Sequence, residues 1–453
     1  MKRFVWQCLV VSSVLAGALA AAETRPQYGG TLRVAMRAAA SSLDPADRAQ
    51  PDSAVRRTMA TLLYDTLITV DEQGRKKPAL AESWQMLPRQ RRAFKIRHGI
   101  RFHDGTPLTA EIVAASLLSA NPTWSVTGEG DALVIESTSD PDLLTALTLP
   151  RNAIVKRDGD KLSGTGPFHV GDWQPGKKLT LAANEDYWRG RPFLDAIEIE
   201  MGRSFHDQMT ALDLGKEELV EVAPEQAHRA AQEHHSPIQS APVVLLALLF
   251  SREAGSAEEQ SLREGLSLSV ERGSIRSVLL QGAGEPASSI LPTWISGYGF
   301  VFSIDADRTK ARQLRAQTHA APAWTLGYDA DDPLARVLAE RIALNAHDVG
   351  LSLQPASSAT TDLRLVEIAL ASSDGWMALR EAASQASLPE LQRKMGSVQD
   401  LYATEQATLA SKRIIPLFHL PVSYASSPGL KHVTVRADGS LDLTDAWLET
   451  AKP

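Results

Sequence analysis

Val243-Val244-Leu245-Leu246-Ala247-Leu248-Leu249-Phe250 is an unbroken apolar run with no polar residue to mark a wet face. It is far too short to cross a bilayer, and it fits a strand buried on both faces. Such a strand demands a covering layer on each side, which points to helices packed on a sheet. The residues that follow agree. A helical pattern spans Leu262–Arg272 and another Ala311–Ala316, with a strand at Trp324–Tyr328. A longer helix then covers Leu334–Val349, and Gly350–Leu353 reads as the next strand. This alternation predicts an α/β unit. Small and polar clusters at Arg252–Gln260, Thr318–Ala323 and Ala356–Thr361 read as loops.

The stretch from Phe94 to Glu111 reads as strand, tight turn and helix. Phe94, Ile96 and His98 alternate with Lys95 and Arg97, the period of a strand with one buried face. Asp104-Gly105-Thr106-Pro107 is turn chemistry. Thr109 stands where a helix N-cap belongs, and Glu111 favours the positive helix end. His103 and Asp104 are adjacent, but they read as part of the turn that places the helix rather than as a catalytic pair.

Lys2 and Arg3 precede an apolar run, Leu9 to Leu19, and then small residues at Ala18–Ala22. This is the pattern of a cleavable secretory signal, with residues 1–22 removed and the protein exported to the periplasm. Cys8 is the sole cysteine and lies inside that segment, so no thiol is expected for a disulfide, a nucleophile or a lipid anchor. The formal charge of −7 becomes about −9 without Lys2 and Arg3. Such acidity argues against nucleic acid or an anionic membrane as partner. A hydrophobic content of 43% over this length is enough for more than one core, hence two lobes.

Catalytic and metal signatures are missing. There is no Gly-x-Ser-x-Gly elbow and no His-Glu-x-x-His, so an enzyme is not expected. His228, His234 and His235 cluster on a polar helical stretch that defines no ligand geometry, and no metal or other cofactor is expected. Gly164-Thr165-Gly166 lacks the further glycines and the strand-to-helix context of a phosphate cradle.

A wider pattern joins these pieces. Leu63-Tyr64-Asp65-Thr66-Leu67, then Pro78–Trp84, then Phe94–Ala110 occur in order. Later come Gly164–Phe168, Trp173, Asn184-Glu185-Asp186-Tyr187-Trp188 and Arg189–Asp195. Together they resemble the signature regions of the family 5 extracellular solute-binding proteins, the peptide and nickel receptors of ABC importers. Ile414–His419 and Gly439–Leu443 resemble the family's late strand and C-terminal end. The resemblance implies an α/β, two-lobed periplasmic binding protein-like fold, with a hinge and a ligand cleft between the lobes. Lobe I is expected at 23–242 with a shortened middle subdomain at about 119–163, lobe II at 243–400, and a return to lobe I at 401–453. Tyr187, Trp188 and Phe193 are expected to pack under a loop.

The implied function is capture of a peptide or small polar solute by lobe closure and delivery to an ABC permease, by a monomer. The alternative is a divergent member serving as an envelope sensor or accessory protein. Two departures keep that alternative open: the short interval between Leu118 and Gly164, and the segment Val366–Trp376, where the family places a Gly-Trp and an aspartate-rich loop. Candidate ligand contacts follow from position near strand ends and crossings: Ser41 and Ser42 after the first strand, Glu367, Asp374 and Trp376 in lobe II, and His419 at the return. Each has a structural alternative, as a turn, a solvated strand face, a packed aromatic or a buried imidazole. Peptide, nickel chelate, sugar and opine-like ligands all stay open.

Overall fold

The computed structural model describes residues 25–449, except 72–73, 89–90, 137–142, 233–234, 320–321, 359 and 392–396. The expected signal segment with Cys8 lies outside the described residues.

A mixed sheet of 11 strands runs through the whole molecule. Strand β1 is Thr31–Ala35, and a separate four-stranded sheet follows in sequence: β2 (Ala81–Leu87), β3 (Arg91–Ile96), β4 (Ser125–Glu129) and β5 (Ala132–Glu136). The large sheet continues with β6 (Phe168–Gln174), β7 (Lys178–Ala183), β8 (Ala196–Glu200), β9 (Leu219–Val222) and β10 (Ser236–Phe250). It is completed by β11 (Ala323–Gly327), β12 (Ser352–Ala356), β13 (Leu363–Ala369) and β14 (Ile414–Ser426). The order is β6-β7-β8-β1-β9-β14-β10-β13-β11-β12, with a short edge piece, Glu285–Pro286, paired to β14. β1 lies parallel to β8 and β9 in one half, and β11 lies parallel to β12 and β13 in the other.

β10 and β14 join the halves. They are antiparallel and hydrogen-bonded from Ser236↔Ser426 to Leu249↔Ile414, with register shifts at Gln239/Pro242, Pro242/Val244 and Leu246/Ala247. Along the apolar run of β10 the side chains alternate between two cores. Leu246, Leu248 and Phe250 enter one, while Leu245 and Ala247 enter the other. The strand is thus buried on both faces, as its composition predicts.

Helices cover those faces. In chain order they include α1 (Ala54–Leu63), α2 (Ala110–Ala120), α3 (Phe205–Asp213), α4 (Ala257–Ser269), α5 (Arg308–Ala316), α6 (Pro333–His347), α7 (Gly375–Gln385) and α8 (Val398–Ala410). Thr109 caps α2 by accepting from the Ile112 amide, as expected. The loop expected at Arg252–Gln260 is shorter than its composition suggests. Ser256 accepts from the Glu259 amide and starts α4 at Ala257, because an N-cap signal lies hidden in a polar run. The strand expected to reach His98 ends at Ile96.

The small sheet and α2 share a core of their own, containing Phe94, Ile96, Val113, Leu133 and Ile135. The motif blocks meet nearby, on one carboxylate. Asp65 accepts from the Thr165 hydroxyl at 2.8 Å, the Tyr187 hydroxyl at 3.1 Å and the Trp188 indole at 3.0 Å. Tyr187 and Trp188 therefore do more than fill space beneath the loop. Their polar ends fix it to the end of α1.

Candidate interlobe site

The carboxyl ends of the parallel strands in the two halves face one another, the usual place for a ligand crevice in open α/β sheets. Arg37 lies two residues beyond β1, and its backbone N–H donates to Glu221 Oε2 of β9 at 2.8 Å. Its guanidinium lies 5.2 Å from the centre of the Phe205 ring, which helps fix its direction. From there it crosses to the other half. Nη2 is 3.0 Å from Asp329 Oδ2 and 3.5 Å from Asp332 Oδ2, in the loop between β11 and α6.

Asp332 has a second task. It caps α6, accepting from the amides of Leu334 and Ala335. Glu367 of β13 and Glu221 complete the polar wall, and Leu246, Leu420 and Phe205 supply apolar surface to a cavity of about 250 Å³. Burial raises the Glu221 carboxyl above the ordinary range, against the pull of Arg37. Burial likewise raises Glu367, with Arg37 opposing and Asp332, Glu221 and Asp329 adding repulsion. Four carboxyl groups thus surround one guanidinium.

A second contact joins the halves elsewhere. Arg151 Nη1 stands 2.8 Å from Glu381 Oε1 of α7, and Met377 of α7 packs into the core beneath the small sheet. Burial raises Glu381 too, against Arg151. Among the described residues, the two halves thus also meet away from the Arg37 contact.

The candidate residues from sequence fall in different settings. Glu367 lines the cavity. Ser41 donates to Gln50 Oε1 at 2.7 Å, and the Ser42 hydroxyl accepts from the Asp44 amide, so both are tied into the loop after β1. Asp374 caps α7 by accepting from the Met377 amide, and Trp376 is buried in the core behind β10. His419 is 3% exposed and bonds through Nε2 to the Ile290 carbonyl at 3.0 Å. Sequence reasoning did not single out Arg37, Glu221, Asp329 or Asp332. One signal was available: Asp329-Ala330-Asp331-Asp332 is an acidic run directly after a readable strand.

Among the described residues no group of three or more His, Cys, Asp or Glu is placed to hold a metal ion. His235 bonds to Asp213 at 2.8 Å. His234 and the His228 side chain lie outside the described residues. Among the described residues no helix is long and apolar enough to cross a membrane.

Residues 76–368 match the profile of the bacterial extracellular solute-binding proteins, family 5 Middle. The chain belongs to this family. The nickel-binding protein NikA of Staphylococcus aureus is 26% identical over 242 residues, which cover 50% of this chain and 49% of NikA. The chain thus spans about half the length of that curated relative. The oligopeptide-binding protein AppA of Bacillus subtilis is 24% identical over 336 residues, 66% of this chain and 60% of AppA. Among solved structures, DppA of Helicobacter pylori with the peptide STSA superposes with a TM-score of 0.81 at 17% identity, covering 95% of this chain and 100% of that one. At such identity the superposition establishes the fold: a two-lobed family 5 architecture, with the ten-strand path above as its spine.

Proposed function

We propose that this family 5 protein is an exported receptor that captures a small polar solute or peptide between its lobes and delivers it to an ABC import permease. One observation carries the reading: a cavity of about 250 Å³ is walled by both halves of the sheet, and Arg37 reaches across it to Asp329 and Asp332. Groups contributed by both lobes meet only when the lobes close. Closure around a ligand then completes the site without a covalent step.

Two of the relatives point the same way, since NikA and AppA are named as nickel-binding and oligopeptide-binding proteins. The family and the relatives named above are solute-binding proteins, which supports a binding protein rather than an enzyme. The basic start and apolar run before Ala22 support export to the periplasm. A receptor that closes on its own cargo needs no second copy, which supports a monomer.

The test is to purify the exported protein from its own organism and identify any co-purifying molecule by native mass spectrometry. That molecule is then returned to protein that has been unfolded and refolded. A ligand present at a hundred times its Kd stabilises by about 2.7 kcal/mol, which gives a clear rise in Tm. A peptide or metal chelate that restores the rise supports the receptor reading. Protein that arrives empty and shifts with no peptide, chelate or sugar overturns it in favour of a sensory or accessory role.

A further inference from the structure

A second hollow lies outside the interlobe cavity, on the polar face of β1 and β8 beside the end of α3. Its volume is about 270 Å³, and Arg33, Glu198, Glu200, Arg203, Lys216 and Glu217 line it. Most of these charges are already committed. Arg33 forms a two-pronged contact with Glu218 through Nε and Nη2. Arg203 Nη1 is bonded to Glu200 Oε2 at 2.6 Å, and Lys178 Nζ to Glu198 Oε2 at 2.6 Å.

Glu217 is different. It is 8% exposed, and its Oε2 is sealed from solvent without a hydrogen-bond partner among the described residues. A buried carboxyl without a donor is costly, so it is normally matched by something. In the turn after α3 the Lys216 and Glu217 amides both point to the Ala211 carbonyl. Lys216, exposed and with no ion-pair partner among the described residues, lines the same hollow as Glu217. Two charges of opposite sign, neither with a side-chain partner among the described residues, therefore line one hollow.

We propose that this hollow binds a small zwitterion, its cationic end on Glu217 and its anionic end on Lys216. A metal ion fits poorly, because among the described residues no trio of carboxyl or imidazole groups converges. A simple cation gains Glu217 but meets Lys216 unscreened, whereas a zwitterion satisfies both groups. Burial, reinforced by Glu200 and Glu218 and opposed by Arg33 and Arg203, pushes the Glu217 carboxyl up to about 7. An ammonium group needs the ionised form, so binding strengthens as pH rises from 6 to 8.

The test is isothermal titration of the full exported chain with glycine, β-alanine and γ-aminobutyrate, which differ in charge separation. Methylammonium and acetate serve as single-charge probes. The proposal expects one of the zwitterions to bind at least tenfold more tightly than either single-charge probe, and more tightly at pH 8 than at pH 6. Glu217→Gln and Lys216→Met should each weaken it at least tenfold. Thermal unfolding checks that Glu217→Gln folds, and the exposed Lys216→Met carries the test if it does not. No zwitterion binding, equal binding of methylammonium, or binding that survives in the folded variants overturns the proposal. The outcome is independent of the interlobe cavity, since neither substituted residue lines it.

Discussion

Arg37 and Asp329 lie 292 positions apart in sequence, yet their side chains meet at 3.0 Å across the crevice. Arg37 is 27% exposed and Asp329 56%, so solvent screens the pair and its worth is modest. Arg37→Met should shift the balance towards the open form by about 1 kcal/mol, or about fivefold. Small-angle scattering of the ligand-free variant should show a larger radius of gyration. An unchanged radius would show that the pair does not hold the lobes together.

Asp65 holds the hydroxyls of Thr165 and Tyr187 and the indole of Trp188. Asp65→Asn keeps the shape but turns one accepting oxygen into a donor facing other donors. The cost is expected at about 2 kcal/mol, read as a lower urea midpoint with an unchanged slope. A variant as stable as the parent would mean that the three bonds contribute little.

His419 and Glu405 make opposite demands on pH. Burial lowers His419 from 6.5 to about 4, so the unfolded chain binds the extra proton and stability falls as pH drops from about 6.5 to 4. Burial raises Glu405 from 4.5 to about 6, so the folded chain holds the extra proton and stability falls as pH rises through that interval. His419→Gln removes the first contribution and leaves the second. Between pH 4.5 and 6 the variant should lose stability with rising pH more steeply than the parent. Over pH 4 to 6.5 the two stability curves should change relative to each other by about 3 kcal/mol. Parallel curves from equilibrium unfolding would count against a buried neutral imidazole.

Two glycines should respond in opposite directions. A Cβ on Gly164 would lie 1.9 Å from the Leu63 carbonyl oxygen and 2.4 Å from the Tyr64 ring. Gly164→Ala must displace backbone, at a cost of about 3 kcal/mol or more. Gly273, on a short helix, has nothing within 4 Å of the added carbon. Gly273→Ala should stabilise by about 0.5 kcal/mol through the unfolded chain. Thermal denaturation of both variants checks the pair, and equal Tm values would refute the packing argument at Gly164.

Much of the scaffold was legible because its signals are local. The β10 run has apolar residues for two cores, Thr109 advertises a cap, and the strand, turn and helix from Phe94 onwards follow period and turn chemistry. The early start of α4 was missed because Ser256 sits among other small polar residues. The crevice is less legible for a different reason. Glu367 could be singled out from its place in a strand, but nothing local in Arg37 says that Asp329 lies opposite. That juxtaposition arises when β10 and β14 bring two distant sheet halves edge to edge. Tyr187 and Trp188 could be read as aromatics under a loop, while their shared acceptor, more than a hundred residues away, could not.

The bulges that β10 and β14 share between Gln239 and Ala247 have a mechanical consequence. Two ribbons bonded side by side resist sliding and twisting far more than they resist a common flex. The connection between the two halves of the sheet is therefore closer to a leaf spring than to slack tethers, and in the proposed closure it would favour flexing over twisting. Under the proposed closure, a solute that draws the two halves together would lose little of its binding free energy to ordering a loose connection, since the paired strands are already hydrogen-bonded along their length.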